Sequence, residues 1–336
     1  MTLTIWEEKQ VTAKKTILKG LLASAALALC ANAALAEGAN IFVIGGKADD
    51  PFWSIVKRGA EDAGKLVAEQ GGSVTWLGPQ NYDNLGADAA DLIRTAIAQN
   101  ASAIVGPDWV PEAMDEAFNA VVDAGIPLII YNAGGLDAAD RLGAMNYVGS
   151  DDYLAGKAAG EYFGTHGQKN LVCVNTLPGA ANLQAQCKGM IDGITGAGGA
   201  GVELPLPMTS FGDPTAVTQA VKAHLLQNPT VDGLYTIGNV DANSASIAIM
   251  QAGVAETVKL GGVNMDQTIL DNIKSGAQMF AIDQQPYLQG YLAVSLLNGY
   301  AAFGLTVPTR QILTGPGIVD SANVDATMAG VAAGTR

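Results

Sequence analysis

The sequence is poor in the residues from which metal centres and many catalytic sites are built. It contains two histidines, His166 and His224, and three cysteines among 336 residues. Zinc sites need clustered Cys and His ligands, so no metal site is expected. The chain also lacks the G-x-S-x-G turn of α/β hydrolases. The loop IGGKAD after the first predicted strand does not match a dinucleotide-binding G-x-G-x-x-G.

Positive charge is also scarce. The chain has 18 Lys and Arg residues against 32 Asp and Glu residues, which gives a formal net charge of -14. Nucleic-acid binding depends on clustered Lys and Arg side chains, so nucleic acid is not expected as a partner. Hydrophobic residues make up 49% of the chain, enough for large cores, and the length accommodates two domains.

No apolar run near the N-terminus is long enough to span a bilayer. Three lysines between positions 14 and 19 precede the short apolar run Leu21–Leu29, and Ala34-Leu35-Ala36 matches an A-x-A cleavage site. This pattern predicts a signal peptide over residues 1–36, cleaved after Ala36, and export to the periplasm. Cys30 raises the alternative of a lipid anchor, but that signal favours a small residue where Leu29 stands.

Two cysteines would remain after cleavage, Cys173 in a predicted strand and Cys187 in the following predicted helix. An oxidising compartment permits a disulfide between them. Two buried free thiols are the alternative, because sequence does not supply the geometry that a disulfide requires.

The rest of the chain alternates predicted strands and helices. Short runs of β-forming residues, such as 41–44, 73–77 and 103–105, are each followed by an amphipathic or Pro-initiated helical segment. Repeated units of this kind predict an α/β protein with parallel sheets and helices on both faces. The segment NYVGSDD, residues 146–152, is interpreted as a break between two such halves, with a cleft between the lobes as the expected ligand site.

The first strand-end loop offers both flat rings and hydrogen-bond acceptors. Ile41–Ile44 predicts a buried strand, Pro51 suits the start of a helix, and the loop carries Asp49, Asp50, Phe52 and Trp53. Ligands of open α/β sheets bind beyond the carboxyl ends of the strands, so a sugar or polyol would fit here. The alternatives are that the two aromatics are core residues and that Asp50 caps the helix, a role that Asp fills well.

Several blocks occur in an order that resembles the periplasmic sugar-binding proteins of ABC importers, in particular the ribose-binding-protein-like group. They are DDPFW (49–53), IPLIIYN (126–132), NYVGSDD (146–152), GLYTIGNVDA (233–242), GGVNMD (261–266) and IDQQPYLQG (282–290). The resemblance covers essentially all of the chain after the predicted signal peptide. It implies two Rossmann-like lobes joined by a three-segment hinge, the type I periplasmic binding protein fold. The N-terminal lobe would comprise residues 37–150 plus 285–313, and the C-terminal lobe residues 151–284 plus 314–336.

The resemblance also implies a set of ligand-binding positions, and at two of them this chain lacks the family's arginine. Asn132-Ala133 stands where the family has Asp-Arg, and Gln186 stands at a second Arg position. Without a guanidinium to pair an anion, a neutral polyhydroxylated ligand is expected. Together, the strand ends and the resemblance give fourteen candidate ligand-binding residues: Asp49, Asp50, Phe52, Trp53, Asp108, Trp109, Asn132, Gln186, Phe211, Asn239, Asp241, Asn264, Asp266 and Gln284.

The expected function is therefore that of a solute-binding component of an ABC transporter, not an enzyme. It would capture a neutral sugar or polyol by hinge closure and deliver it, as a monomer and without a cofactor, to a membrane permease. Two alternatives stay open. One is a periplasmic sensor that presents its closed form to a receptor. The other is a secreted hydrolase that uses a carboxylate pair, Asp49 with Asp50 or Asp266.

Overall fold

The protein is described from a computed structural model that covers residues 38–336. The predictions for the N-terminal segment, a signal peptide over 1–36 and the alternative anchor at Cys30, lie outside the described residues. No helix within residues 38–336 has the length and apolar character needed to cross a membrane.

The described chain alternates strands with helices. The strands are β1 Asn40–Ile44, β2 Ser73–Leu77, β3 Ala103–Gly106, β4 Leu128–Tyr131, β5 Asn146–Ser150, β6 Asn170–Asn175, β7 Ala200–Pro205, β8 Gly233–Thr236, β9 Lys259–Val263, β10 Phe280–Asp283, β11 Gln311–Gly315 and β12 Gly317–Asp320. The α-helices are α1 Trp53–Glu69, α2 Leu85–Ala98, α3 Pro111–Asp123, α4 Gly135–Arg141, α5 Asp152–Thr165, α6 Ala181–Gly196, α7 Pro214–Gln227, α8 Asn239–Ala252, α9 Gln267–Ser275, α10 Pro286–Phe303 and α11 Val324–Ala332. A short 3₁₀ helix spans Met208–Ser210.

These strands form two sheets of six, each with its own hydrophobic core. The first sheet has the order β11-β5-β4-β3-β1-β2, and all its pairs are parallel. The second has the order β12-β10-β9-β8-β6-β7, in which only β12 runs antiparallel to its neighbour. The predicted α/β class with two parallel-sheet lobes is confirmed.

The chain crosses between the two sheets three times. It leaves the first sheet after β5, returns after β10 and leaves again between β11 and β12. Helix α10 packs on α1 beside the first sheet. The crossings create the three-segment hinge, and they bring the carboxyl ends of both sheets toward one another. The residue boundaries of the two lobes given above stay a prediction.

The strands at the centre of both sheets are buried because helices cover both faces. Close helix packing depends on glycine at one contact that bears on the site. A Cβ at Gly156 of α5 would collide with the backbone carbonyl of Gln186 on α6. Glycine therefore allows the two helices to approach closely enough for the Gln186 side chain to reach Asp152 at the start of α5.

Residues 146–150 are a strand, which corrects the interpretation of 146–152 as a break. The segment NYVGS contains few β-forming residues, but it pairs with β4 on one side and β11 on the other. Tertiary pairing therefore overrides its weak propensity. Helices α4 and α11 and strands β11 and β12 were not predicted.

Cys173 and Cys187 form a disulfide bond, with their Cα atoms 5.5 Å apart. The bond ties β6 to the first half of α6, the helix that carries Asn182 and Gln186. Of the two alternatives left by the sequence, the structure supports the disulfide.

Candidate functional site

The loops that follow the strands of the two sheets enclose a cavity between them. Every loop after β1 to β4 and after β6 to β10 contributes at least one lining residue. The cavity has a volume of about 110 Å³. One water needs about 10–15 Å³, so the space suits a small organic molecule.

Eleven of the fourteen candidate residues line this cavity. They are Asp50, Phe52, Trp53, Trp109, Asn132, Gln186, Phe211, Asn239, Asp241, Asn264 and Gln284. The structure thus brings together side chains that are as many as 234 positions apart in the chain. That they bind a ligand stays a prediction.

The other three candidates point elsewhere. The side chain of Asp49 is 82% exposed and lies 3.7 Å from the Lys47 ammonium. Asp108 is fully buried behind the cavity and accepts a hydrogen bond of 2.6 Å from Arg141. Asp266 caps α9 by accepting from the backbone N–H of Ile269. None of these three carboxylates is placed to contact a molecule in the cavity.

Asp50 both caps a helix and faces the cavity. Its Oδ1 accepts from the backbone N–H groups of Phe52 and Trp53 at 2.9 and 3.1 Å, and its Oδ2 accepts from the Tyr82 hydroxyl at 3.3 Å. Burial raises the pKa of this carboxyl, against the lowering effect of these hydrogen bonds. Asp50 therefore combines the capping role and the cavity position that the sequence left as alternatives.

Aromatic rings form one wall of the cavity. Trp53 lies at the centre, with its ring centroid 5.3 Å from Trp109 and 6.0 Å from Tyr131. Phe52 meets Trp53 edge to face at 5.2 Å. Trp53 and Trp109 are 7% and 3% exposed, so they serve the core while one part of each faces the cavity. Such rings offer apolar faces on which the C–H side of a ligand can pack.

Across the cavity, Asp241 is held by a neighbouring strand end. Its Oδ2 accepts a hydrogen bond of 2.9 Å from the Thr176 hydroxyl, which follows β6. Burial raises the pKa of Asp241 to about 7; the Thr176 hydrogen bond opposes this rise, and the charge of Asp50 adds to it. The two acids of the cavity thus interact with each other across the cleft.

Two asparagines occupy equivalent positions in the two sheets. Asn132 follows β4 and Asn264 follows β9, and both have left-handed backbone conformations with φ of 61° and 68°. Asn tolerates this region better than most residues. Asn264 accepts a 3.1 Å hydrogen bond from Gln284 in the hinge, which fixes the orientation of its amide.

Gln186 joins the cavity to a buried acid. Its Nε2 donates a 2.8 Å hydrogen bond to Asp152, and both side chains are nearly inaccessible to solvent. Burial raises the pKa of Asp152 to about 8; the bond from Gln186 opposes the rise, and the charge of Asp151 adds to it.

Sequence reasoning missed two polar lining residues, Tyr82 and Asn182. Tyr82 follows β2 and Asn182 is the second residue of α6, so both stand at strand-end positions like the candidates that were found. Their position just after a strand could have indicated that they line the cavity. Tyr82 also contacts Phe211 from the opposite sheet, with ring centroids 4.8 Å apart.

Further contacts hold the two halves together around the cavity. The backbone N–H of Ala181, the first residue of α6, donates a 2.9 Å hydrogen bond to the carbonyl of Trp109. Leu177 and Ala180 join the hydrophobic cluster of the first sheet. Residues from both halves therefore meet at the edge of the cavity.

The chemistry of the lining is acidic and rich in amides. Among the 22 described residues that line the cavity, none is Lys, Arg or His. In residues 38–336 no group of three His, Cys, Asp or Glu side chains is arranged to hold a metal ion. The arrangement can accept hydrogen bonds from hydroxyl groups and pack against apolar faces, and it offers no counter-charge to an anion.

Comparison with protein families matches residues 41–305 to the family described as periplasmic binding protein domain. The structure is similar to that of a carbohydrate transporter from Acidothermus cellulolyticus 11B in complex with myo-inositol. The two are 30% identical with a TM-score of 0.80, over 89% of this chain and 99% of that one.

Two further relatives are more distant. The xylose/arabinose-binding protein XylF of Sulfolobus acidocaldarius is 24% identical over 290 residues, which cover 82% of this chain and 69% of XylF. An ABC transporter solute-binding protein from Burkholderia graminis C4D1M, in complex with D-arabinose, has a TM-score of 0.74. It is 21% identical, over 86% of this chain and 97% of that one, which shows a shared fold alone.

Proposed function

The chain belongs to the periplasmic binding protein domain family, and from that membership we propose that it is the solute-binding component of an ABC importer. It captures a neutral sugar or polyol between its lobes and delivers the molecule to a membrane permease. The observation that carries this proposal is the cavity itself: it lies between two hinged sheets, aromatic rings from both sides reach it, and the described lining has no cationic side chain.

The chemistry of the lining selects the ligand class. Carboxylates accept hydrogen bonds, while Asn and Gln amides both donate and accept, so together they match the edge of a polyol. Phe52 and Phe211 reach the cavity from opposite lobes and supply apolar faces. An anionic sugar would enter a site that already holds Asp50 and Asp241, with no positive charge to offset the desolvation of its own charge.

The similar proteins point to small polyhydroxylated ligands. The Acidothermus structure holds myo-inositol, and the Sulfolobus relative is named for xylose and arabinose. These ligands are a cyclitol and two pentoses, all uncharged. The proposal for this chain is a ligand of that size and chemistry.

Closure supplies affinity and a signal to the permease. Each neutral hydrogen bond contributes about 0.5–1.5 kcal/mol, and several of them, with packing against the rings, reach the roughly 8 kcal/mol of a micromolar Kd. The closed form also presents a surface composed of both lobes, which a permease can distinguish from the open form.

The proposal includes the cellular context. The mature protein begins after Ala36 in the periplasm and acts as a monomer. Its lobes comprise residues 37–150 plus 285–313 and residues 151–284 plus 314–336.

A binding role also accounts for the acids better than a hydrolytic role. A glycoside hydrolase of the common kind needs two carboxylates on either side of one reacting bond. Asp49 is exposed and Asp266 caps α9, so neither pairs with Asp50 across the cavity. The acid that does face Asp50, Asp241, is held by Thr176.

The experiment is a thermal-shift screen of the mature protein against pentoses, hexoses, linear polyols and inositols. A ligand that binds only the folded state raises Tm by an amount that grows with the logarithm of its concentration relative to Kd. We expect a concentration-dependent rise with at least one neutral member of the panel. Stabilisation by amino acids, peptides or metal ions alone would contradict the proposal.

A further inference from the structure

The cavity holds two carboxylates with no positive partner. Asp50 comes from the first sheet and Asp241 from the second, and among the described lining residues no Lys, Arg or His accompanies them. Lys47, in the same loop, lies 3.7 Å from the exposed Asp49, and its charge is the smallest of the influences that lower the pKa of Asp50. Buried charges in proteins are ordinarily paired, so the negative charge of the cavity is compensated only weakly.

Existing hydrogen bonds use only part of the acceptor capacity of these acids. Asp241 has one side-chain partner, the Thr176 hydroxyl on Oδ2. An ionised carboxylate has about four acceptor positions, so its other oxygen stays available to the ligand. The pKa of Asp241 rises to about 7, mainly because the carboxyl is buried; the negative charge of Asp50 makes the smallest contribution.

Amide oxygens at the cavity add further acceptors that lack donors. Oδ1 of Asn132 and Oε1 of Gln186 are buried without a hydrogen-bond partner, and these side chains are 4% and 1% exposed. For Asn132 the hydrogen-bond network fixes which end of the amide is free. Gln289 donates its Nε2 to the Gln284 carbonyl, so its Oε1 must face Asn132 and receive the Asn132 Nδ2.

From these observations we infer that the preferred ligand carries a protonated amine on its polyol framework, as an amino sugar or aminocyclitol does. An ammonium group presents three N–H donors and no acceptor, which complements a site with surplus acceptors. It also neutralises part of the charge of Asp50 and Asp241, and charge-assisted hydrogen bonds are roughly twice as strong as neutral ones. This inference rests on the cavity and the hinge closure of the proposed function, and it replaces the neutral ligand class proposed there with a cationic one.

The test compares each amine with its neutral parent, the compound that carries a hydroxyl in place of the amine. Binding is measured by isothermal titration calorimetry on the mature protein at pH 7. The pairs are D-glucosamine with D-glucose, D-galactosamine with D-galactose, and 1-amino-1-deoxy-scyllo-inositol with scyllo-inositol. We expect the amine to bind at least tenfold more tightly than its parent in one pair or more. Equal or weaker binding of the amine in every pair, or no binding by any amine, overturns the inference.

Substitution of Asp241 tests whether a carboxylate in the cavity, and not the net charge of the protein, causes the preference for amines. Asp241→Asn keeps an oxygen that can accept from Thr176 but removes the charge, so the amine-to-parent ratio should fall at least threefold, with Asp50 left as the one carboxylate that attracts the amine. Asp91→Asn removes the same charge from the surface, where Asp91 pairs with Arg94, and should leave the ratio unchanged. A ratio that persists in Asp241→Asn overturns the role of this carboxylate.

The two proposals fail in different ways. If neutral sugars or polyols bind and the amines bind no more tightly, the inference about a protonated amine is wrong and the proposed function stands. Binding of amines alone would contradict the neutral ligand class of the proposed function while supporting the charge argument. If the Asp241→Asn protein does not fold, the wild-type ratios still decide the question.

Discussion

At the scale of single residues, the site depends on side chains held in orientations that only their neighbours can impose. Asn264 has a left-handed backbone and an amide oriented by Gln284. Asp152 is a buried acid whose one side-chain hydrogen bond comes from a cavity residue, Gln186. Asn264 leads to a prediction about ligand binding, and Asp152 leads to a prediction about the pH dependence of stability.

Removal of the Asn264 amide should abolish ligand binding without unfolding the protein. Asn264→Gly accommodates the left-handed backbone but removes the hydrogen bond with Gln284 and the cavity-facing amide. The ligand-dependent rise in Tm should disappear while the Tm of the free protein changes little. Asn264→Ala should also lose the shift, and should lower stability by a further 1–2 kcal/mol or so because Ala is strained in this region.

The same loss is expected for an aromatic contact. Phe211→Ala removes a ring that lines the cavity and meets Tyr82 across the cleft, so ligand affinity should fall at least tenfold, or about 1.4 kcal/mol. Phe303→Ala is the matched control, because Phe303 is 67% exposed at the end of α10. An unchanged ligand response in both Phe211→Ala and Asn264→Gly would remove these residues from the site.

The stability of the protein should fall as pH rises through the titration range of Asp152. Its pKa is about 8 in the folded protein against 3.8 for the free side chain, so the folded state binds more protons between these values. The stabilisation is fully present below pH 3.8 and is lost as pH rises toward 8. The Asn side chain of Asp152→Asn does not titrate. As pH rises, the free energy of unfolding of this variant should therefore increase relative to that of the wild type, by up to about 1.4 kcal/mol per pH unit.

Urea unfolding of both proteins at pH 5, 6 and 7 measures this difference. The exposed Asp91→Asn substitution should track the wild type throughout. Parallel pH profiles for the wild type and Asp152→Asn would show that Asp152 is ionised in the folded protein.

At the scale of secondary-structure elements, the disulfide and the close packing of α5 on α6 hold the cavity wall in place. Cys173 and Cys187 join β6 to α6 over a sequence separation of 14. Helix α6 in turn supplies Asn182 and Gln186 to the cavity. The position of these side chains therefore depends on a covalent bond as well as on the core.

Reduction of the disulfide should lower the free energy of unfolding. A closed loop of about 15 residues is worth about 3 kcal/mol in the chain-entropy model, which corresponds to a fall in Tm of several degrees. Scanning calorimetry with and without a reductant measures the change. The Cys173→Ala/Cys187→Ala protein should melt lower than the wild type and should not respond to the reductant; equal melting of both proteins would argue against a stabilising role.

At the scale of the whole molecule, the proposed function depends on an equilibrium between separated and closed lobes. The backbone hydrogen bond from Ala181 to Trp109 and the contact between Tyr82 and Phe211 exist only when the halves meet. The likeness to the Acidothermus structure and the two six-stranded sheets confirm the predicted type I periplasmic binding protein fold.

Loss of one interlobe hydrogen bond should weaken the closed form. Ala181 is the first residue of α6, a position where proline is well tolerated. Ala181→Pro removes the donor to Trp109 and places a ring carbon near that carbonyl, so the Kd of the ligand should rise by roughly 2- to 12-fold, as expected for 0.5–1.5 kcal/mol. Ala181→Ser keeps the N–H and should bind like the wild type.

Small-angle X-ray scattering gives an independent readout of the same equilibrium. Ligand should decrease the radius of gyration of the wild type, and Ala181→Pro should require more ligand for the same decrease. A radius that does not change on ligand binding would contradict hinge closure.

The sequence by itself determined the α/β class and the order of most elements, and with the family resemblance it indicated 11 of the 22 cavity-lining residues. Periodicity and Pro or Gly punctuation are local signals, and strand-end residues share one edge of a parallel sheet whatever their distance in the chain. The positions just after β1 and β3 therefore indicated Asp50 and Trp109 as cavity residues from local patterns, while Asn132 after β4 was indicated by the family resemblance.

Only the tertiary structure decided which acids face the cavity and which do not. Asp49, Asp108 and Asp266 have the same local signature as Asp50, but the first is exposed, the second pairs with Arg141 and the third caps α9. It also decided that NYVGS is a strand and that Cys173 and Cys187 are bonded. The physical reason is the same in each case: side-chain direction, strand pairing and disulfide geometry depend on contacts between distant segments, which no local pattern contains.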